Sequence, residues 1–257
     1  VGETVEGFQI HVYNEKFDIL FERIFPSMKG SANFLFLDQN GIKEITREIF
    51  VKITSLRQTD FLFFISSSYF KRFANTPEFK KYFPFNKDEV ENVDYFHIHR
   101  KVVEHYKSLI DPSKSYFLAP FSIKKEANIY GLVFGTNHTL GIEKFLKVAW
   151  KMDSLRGEAN FDIDNEKIDS GSPSLFEEFD KPQKRQLFEK KLTELILQRK
   201  LMRRYEIYLY GLTEGFLLKD VNTVLKRLKA DKKIDFDFKL ISSDLHKHKN
   251  DETLKIL

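Results

Sequence analysis

Asp38 and Asn40 follow the short apolar run Phe34 to Leu37, and three hydroxyls, Ser66, Ser67 and Ser68, follow a second run, Phe61 to Ile65. Runs apolar on both faces read as buried parallel strands, and open α/β sheets bind ligands at the carboxyl ends of such strands. Asp38 is therefore a candidate general base or cofactor contact, and Asn40 lies beside it at the same sheet edge. The same two residues also suit a plain turn, in which Asp38 caps the backbone and Gly41 takes a positive φ. Ser66 to Ser68 can hold a phosphate or carboxylate at a helix N-terminus, or simply cap that helix.

Asn137 and His138 form a second distinctive polar pair. If the β-rich run from Ser115 to Ile123 is parallel to the core strands, the return run from Asn128 to Gly135 brings this pair out at the opposite edge. There it shapes a loop or meets a partner. A different strand order makes His138 the candidate for proton transfer. His97, His99 and His105 lack the i, i+4 spacing of helical metal ligands, so no metal site is expected. A third set is basic. A helix over Lys219–Lys229 would turn Leu218, Val221, Val224, Leu225 and Leu228 inward and present Lys219, Asn222, Lys226, Arg227 and Lys229. With Arg199, Lys200, Arg203 and Arg204 nearby, this face suits phosphate neutralisation; a solvated basic face or a protein-docking surface uses the same residues.

The elements that must position these groups follow from periodicity. Phe8 to Tyr13 alternates as a strand. Asn14 can cap a helix carrying Phe17, Leu20, Phe21, Ile24 and Phe25, with Pro26 near its end. Glu44 to Leu56 reads as the helix joining the two apolar strands in a right-handed crossover. Tyr69 to Ile110 is mostly helical, broken at Pro77 and Pro84. Ser115 to Ile123 and Asn128 to Gly135 form a hairpin around Lys124 to Ala127, and Leu140 to Met152 an amphipathic helix. The fold class is α/β with a Rossmann-like sheet.

The segment from Asp153 to Ser174 holds six acidic residues and few apolar ones, and reads as an acidic linker between an α/β domain, 1–152, and a C-terminal domain, 175–245. In the latter, helices around Leu187 to Leu197, Tyr205 to Leu212 and Lys219 to Lys229, followed by the alternating Ile234 to Leu240, make a winged helix-turn-helix. Residues 246–257 read as a polar, mobile tail. The chain of 257 residues has net charge +4, yet Lys184 to Lys233 carries 14 basic and 6 acidic residues, so polyanion affinity is concentrated there. The absence of cysteine excludes disulfides, thiolate metal sites and a cysteine nucleophile. No apolar run is long enough to span a bilayer and no secretory leader is evident, which points to a cytoplasmic protein without membrane contact.

Three phrases carry a resemblance: Phe36-Leu37-Asp38-Gln39-Asn40-Gly41-Ile42-Lys43; Asp60-Phe61-Leu62-Phe63-Phe64-Ile65-Ser66-Ser67-Ser68 with Tyr69 to Phe73; and Phe134-Gly135-Thr136-Asn137-His138-Thr139-Leu140 with Trp150 to Asp153. Over roughly residues 8–240 the chain resembles the three-Cys-motif partner proteins, and its strand order resembles the second half of a class I S-adenosylmethionine-dependent methyltransferase sheet. The resemblance implies a methyltransferase-like domain with a C-terminal winged helix. It further implies a partner similar to radical S-adenosylmethionine enzymes, work on DNA or RNA, and S-adenosylmethionine as a cofactor, with Ser66, Ser67 and Ser68 near it and Asp38 and Asn40 as catalytic positions. Two departures stand out. No glycine-rich cofactor loop precedes Phe8, so the N-terminal part of such a sheet is lacking or lies outside these residues. Gln39 and Asn40 replace the proline-containing turn and aromatic ring that amino-methyltransferases set against a flipped base. Three functions follow: a nucleic-acid-directed partner protein, a methyltransferase whose cofactor loop lies elsewhere, and a non-catalytic adaptor.

Overall fold

The computed structural model describes residues 2–5, 7–38, 44–66, 72–73, 76–82, 95–168, 181–240, 245–246 and 252–257. Strands β1 (Gly2–Val5) and β2 (Phe8–His11) pair as a separate antiparallel hairpin. Helix α1 (Phe17–Met28) starts one residue after Lys16, which supplies no side-chain cap, so the cap expected at Asn14 is not made at this helix. Then follow β3 (Asn33–Leu37), α2 (Arg47–Ser55), β4 (Thr59–Ser66), α3 (Pro77–Tyr82), a 3-10 turn at Tyr95–His97 and α4 (Ile98–Ser108). Strands β5 (Phe117–Lys125) and β6 (Asn128–Thr136) form the expected hairpin, and α5 (Thr139–Met152) closes this half.

The sheet order is β3-β4-β6-β5, with β3 parallel to β4 and β6 antiparallel to both β4 and β5. Because β6 is reversed and sits between them, β4 and β5 run the same way. One face is covered by α1, α2 and α4, which pack Phe21, Ile49, Phe50, Ile53, Val102 and Tyr106 against Phe61, Phe63 and Ile65 of β4. Gly135 lets β6 pass this core: a Cβ there would lie 2.1 Å from the Phe61 ring. The other face is covered over β5 and β6 by α5, whose Ile142, Leu146 and Trp150 join Phe117, Ala119 and Phe134. β3 departs from expectation. It is the sheet edge, and Phe34 and Phe36 are 63% and 61% exposed while Leu35 and Leu37 are half-buried. A run apolar on both faces is buried on both only where helices cover both, and α5 stops short of this strand.

Composition marks 153–174 as a linker, yet its described part, 153–168, is packed. Residues 158–160 run parallel beside β5, with Ser122 N bonded to Glu158 O (2.7 Å) and Asn160 N to Ser122 O (3.1 Å). Its acids are ion-pair partners. Buried Arg156 reaches Asp162 (2.7 Å), Asp164 (3.5 Å) and Glu166 (2.6 Å), and Glu166 also accepts from the Gln183 N–H at the start of the next helix (2.7 Å). Gly157, at φ +64°, turns the chain over Trp150, where a Cβ would meet the indole at 2.6 Å.

The C-terminal helices α6 (Gln183–Leu197), α7 (Arg204–Thr213) and α8 (Leu218–Ala230) share one hydrophobic cluster with α5 and the sheet. Polar contacts fix the same junction. Trp150 Nε1 donates to Gly215 O (2.9 Å), Tyr208 OH to Glu143 (2.6 Å), and His246 sits between Thr139 Oγ1 (2.9 Å) and Glu143 (2.5 Å). Strand β7 (Ile234–Asp235) pairs with β8 (Lys255–Ile256). This corrects the expected mobile tail at 252–257: Leu254 is buried, its N–H bonds Met202 O (3.0 Å), and Arg204 pairs with Glu252 (2.7 Å). A polar stretch can still be a strand when one apolar residue faces a core and its backbone completes a ladder.

Candidate functional site

Helix α8 is built to show one face. Val221, Val224, Leu225 and Leu228 are buried, and a stripe of Lys219, Thr223, Lys226 and Ala230, spaced i, i+4, i+7 and i+11, is exposed on the opposite side. Asp220 caps its first turn by accepting from Leu217 N (3.1 Å) while pairing with Arg185 (2.6 Å), and Arg227 and Lys229 sit in the last turn, where cations suit the helix dipole. Thirteen residues make a rod of about 20 Å, a length that fits a major groove.

Seven of the residues expected at this face divide into three groups. Lys219 and Lys226 are exposed and have no partner among the described residues. Arg203, Arg227 and Lys229 are exposed but paired: Arg203 loosely with Glu206 (3.8 Å), Arg227 with Glu189 (2.9 Å), and Lys229 with Asp235 (2.8 Å) while covering the Phe236 ring. Arg204 and Asn222 turn inward, correcting their expected exposure. Arg204 is 7% exposed and holds Glu252, and Asn222 Nδ2 donates to Leu240 O (3.2 Å). They maintain the wing rather than its outer surface.

Asp38 directly follows β3 and is exposed, and Ser66 ends β4, half-buried. The two stand at the same end of neighbouring parallel strands. Asn40, Ser67 and Ser68 lie outside the described residues, so the candidate pocket is seen only in part. Asn137 and His138 lie at the other end. Asn137 Nδ2 donates to Leu56 O (3.3 Å) and to Arg57 O, tying β6 to the start of β4, while His138 Nδ1 accepts from Leu140 N (3.1 Å) and caps α5. The antiparallel β6 carries them there, and that order removes the reason for assigning proton transfer to His138.

Sequence reasoning missed a buried charge cluster between α4, the 153–168 segment and α6. Glu158 takes the Arg100 fork on both oxygens, pairs with Lys184 (3.0 Å) and lies 3.2 Å from His99 Nε2. Although burial disfavours its charge, Lys184, His99 and Arg100 together hold the Glu158 carboxyl well below the ordinary range. Burial lowers the pKa of His99 despite the Glu158 contact. His97 pairs with Asp164 (3.0 Å). The cluster walls a cleft of about 360 Å³ that also touches Lys107, Leu187 and Glu214. One signal was available: four acids in 158–166 flanked by only Arg156 and Lys167 must find further partners from elsewhere. Among the described residues no group of three or more His, Cys, Asp or Glu is placed to hold a metal ion, and no described helix is long and apolar enough to cross a membrane.

Residues 162–239 match the family described as a GMT-like wHTH domain, a span that takes in α6, α7, α8 and β7. No curated protein and no solved structure matches the chain. The protein thus joins a mixed α/β sheet to a winged helix-turn-helix domain.

Proposed function

We propose that this chain contacts DNA or RNA through the exposed stripe of α8, with the α/β sheet as the platform that fixes the winged helix in place. The observation that carries the reading is the pairing of the winged-helix match with Lys219 and Lys226, exposed and without partners among the described residues, seven residues and two turns apart on the face opposite the core. Two cations so spaced bind phosphates without sequence information, and Thr223 between them can approach a base edge. In this reading the protein works in the cytoplasm beside a partner similar to radical S-adenosylmethionine enzymes, in nucleic-acid modification or repair. The three-Cys-motif phrases and the strand order β3-β4-β6-β5 support that finer assignment.

A methyltransferase reading draws its support from Asp38 and Ser66 at one sheet edge. Those two groups alone do not cradle S-adenosylmethionine; titration calorimetry with it separates this reading from the first. For nucleic-acid contact the test is the salt dependence of affinity for a duplex. Lys219→Ala with Lys226→Ala is expected to lower the slope of log K against log salt by about 2 and affinity at least tenfold. An unchanged slope would sink nucleic-acid contact through α8 and leave protein docking.

A further inference from the structure

The cleft beside the Glu158 cluster lies where the sheet meets the winged helix, and every residue that lines it is described. Helix α4 supplies Arg100, Val103, Glu104 and Lys107, spaced i, i+3, i+4 and i+7 on one face. Strand β5 contributes residues 118–120, and α6 and the end of α7 contribute the side that belongs to the winged helix. Its volume of about 360 Å³ is at the small end of the range for ligand sites, which form preferentially at junctions of this kind. Val103, Leu118, Pro120, Leu146, Leu187 and Leu212 give it an aliphatic lining, and no aromatic ring is among the lining residues. The cleft therefore has no platform for a stacked nucleobase and suits a short aliphatic chain.

Most charges around the cleft are already matched. Glu158 is held by Arg100 and Lys184, Asp164 by Arg100 and Arg156, and Glu104 by Lys101 (2.8 Å). Two are not. Lys107 and Glu214 make no ion pair among the described residues, although Glu214 is near enough to favour the charged form of Lys107. Lys107 keeps a solvent-exposed side, yet burial by the protein around it lowers its pKa, and Lys184 pushes the same way. An anion between Lys107 and Lys184 relieves that repulsion. Lys184 gives two of its three N–H groups to Glu158 and to Arg156 O (3.0 Å) and has one left. The strand adds backbone groups. Ser122 turns its N–H and C=O away from β6, to Glu158 O (2.7 Å) and Asn160 N (3.1 Å). Alternation along β5 turns the N–H and C=O of Leu118 and the C=O of Pro120 the same way, beyond the turn at Gly157 where the neighbouring segment leaves the strand. The cleft thus combines donors for an anion, at Lys107, Lys184 and the Leu118 N–H, with acceptors for a cation, at Glu214 and the Leu118 and Pro120 carbonyls.

We propose that this cleft binds a free amino acid with an aliphatic side chain, its carboxylate between Lys107 and Lys184, its ammonium on Glu214 and its side chain among Val103, Leu146 and Leu212. Two unmatched charges of opposite sign select a zwitterion over a plain carboxylate or a plain amine, because either of those leaves one charge without a partner in a partly desolvated site. The aliphatic lining selects the side chain. A ligand so held touches α4 and β5 of the sheet domain and α6 and α7 of the winged helix together, so its binding stabilises their junction. The assignment is independent of nucleic-acid contact through α8, since neither Lys219 nor Lys226 lines the cleft.

The test is titration calorimetry on the full chain with L-leucine, L-isoleucine, L-valine and L-methionine. At least one is expected to bind with a Kd of about 1 mM or tighter, the range open to ligands of so few atoms. Isocaproate and isoamylamine, which are leucine without its ammonium and without its carboxylate, are expected to bind at least about tenfold more weakly than the amino acid, as is glycine, which lacks the side chain. Lys107→Met and Glu214→Gln should each weaken amino-acid binding at least about tenfold. Both residues meet solvent, so Tm without ligand should move by less than about 2 °C in either variant, which keeps lost binding distinct from lost folding. Lys219→Ala with Lys226→Ala should leave amino-acid binding unchanged. Absence of binding by all four amino acids, equal binding of either truncated analogue, or an affinity indifferent to both cleft substitutions overturns the proposal, and so does its loss in the α8 double variant.

Discussion

Glu158→Gln removes one charge from a buried carboxylate that His99, Arg100 and Lys184 surround, and the cost can be worked from its contacts. Oε1 faces Arg100 Nε and His99 Nε2; Oε2 faces Arg100 Nη2 (3.1 Å) and Lys184 Nζ (3.0 Å). An amide keeps one acceptor but turns an NH₂ group onto two donors and leaves both cations uncompensated. Breaking a buried pair this way costs about 3 to 5 kcal/mol. Arg100 and Lys184 are 34% and 24% exposed and Arg100 retains Asp164 (3.0 Å), so water and that acid recover part of the loss. About 3 kcal/mol remains, which for a chain of this size lowers Tm by roughly 6 to 12 °C. Differential scanning calorimetry at neutral pH reads this directly, with exposed Glu104→Gln, the Lys101 partner, as a control expected to move Tm by less than about 2 °C. A Glu158→Gln shift as small as the control's would refute the view that this cluster pins the 153–168 segment to α4.

The neighbouring imidazole sets a pH dependence. Burial lowers the pKa of His99 in the folded chain, whereas unfolded it protonates near 6.5, so the unfolded state binds more protons just below that pH and stability falls as pH drops from there, by at most about 1.4 kcal/mol per pH unit. His99→Gln should flatten the Tm profile between about pH 6.5 and 5; a profile that keeps its slope would assign the acid lability to other groups. Leu254, 2% exposed, anchors the C-terminal strand under the wing, and Leu254→Ala should cost about 3 kcal/mol by chemical denaturation, where a free tail would give a change near zero.

Much of the fold was legible because its signals are local. The apolar run Phe61 to Ile65 made β4, the hairpin around Glu126 formed as its spacing required, and α8 buried the positions that its 3.6-residue period assigned. Composition misled where partners are distant. The acids of 158–166 looked like linker because Arg100 and Lys184, which neutralise two of them, lie 58 residues before and 26 after Glu158. Arg204 looked like a phosphate contact because Glu252, which holds it, is 48 residues away.

The order of residues alone determined the helix faces, the strand runs and the concentration of positive charge in the C-terminal third, since each depends on neighbours within a turn or two. Only the tertiary structure decided which cations find partners among the described residues, that β6 carries Asn137 and His138 away from Asp38 and Ser66, and that the run Phe34 to Leu37 lies at the edge of the four described strands. Those outcomes depend on which strands become neighbours and which helices cover them, and pairing and coverage are settled by burial summed over the whole chain rather than by any local pattern.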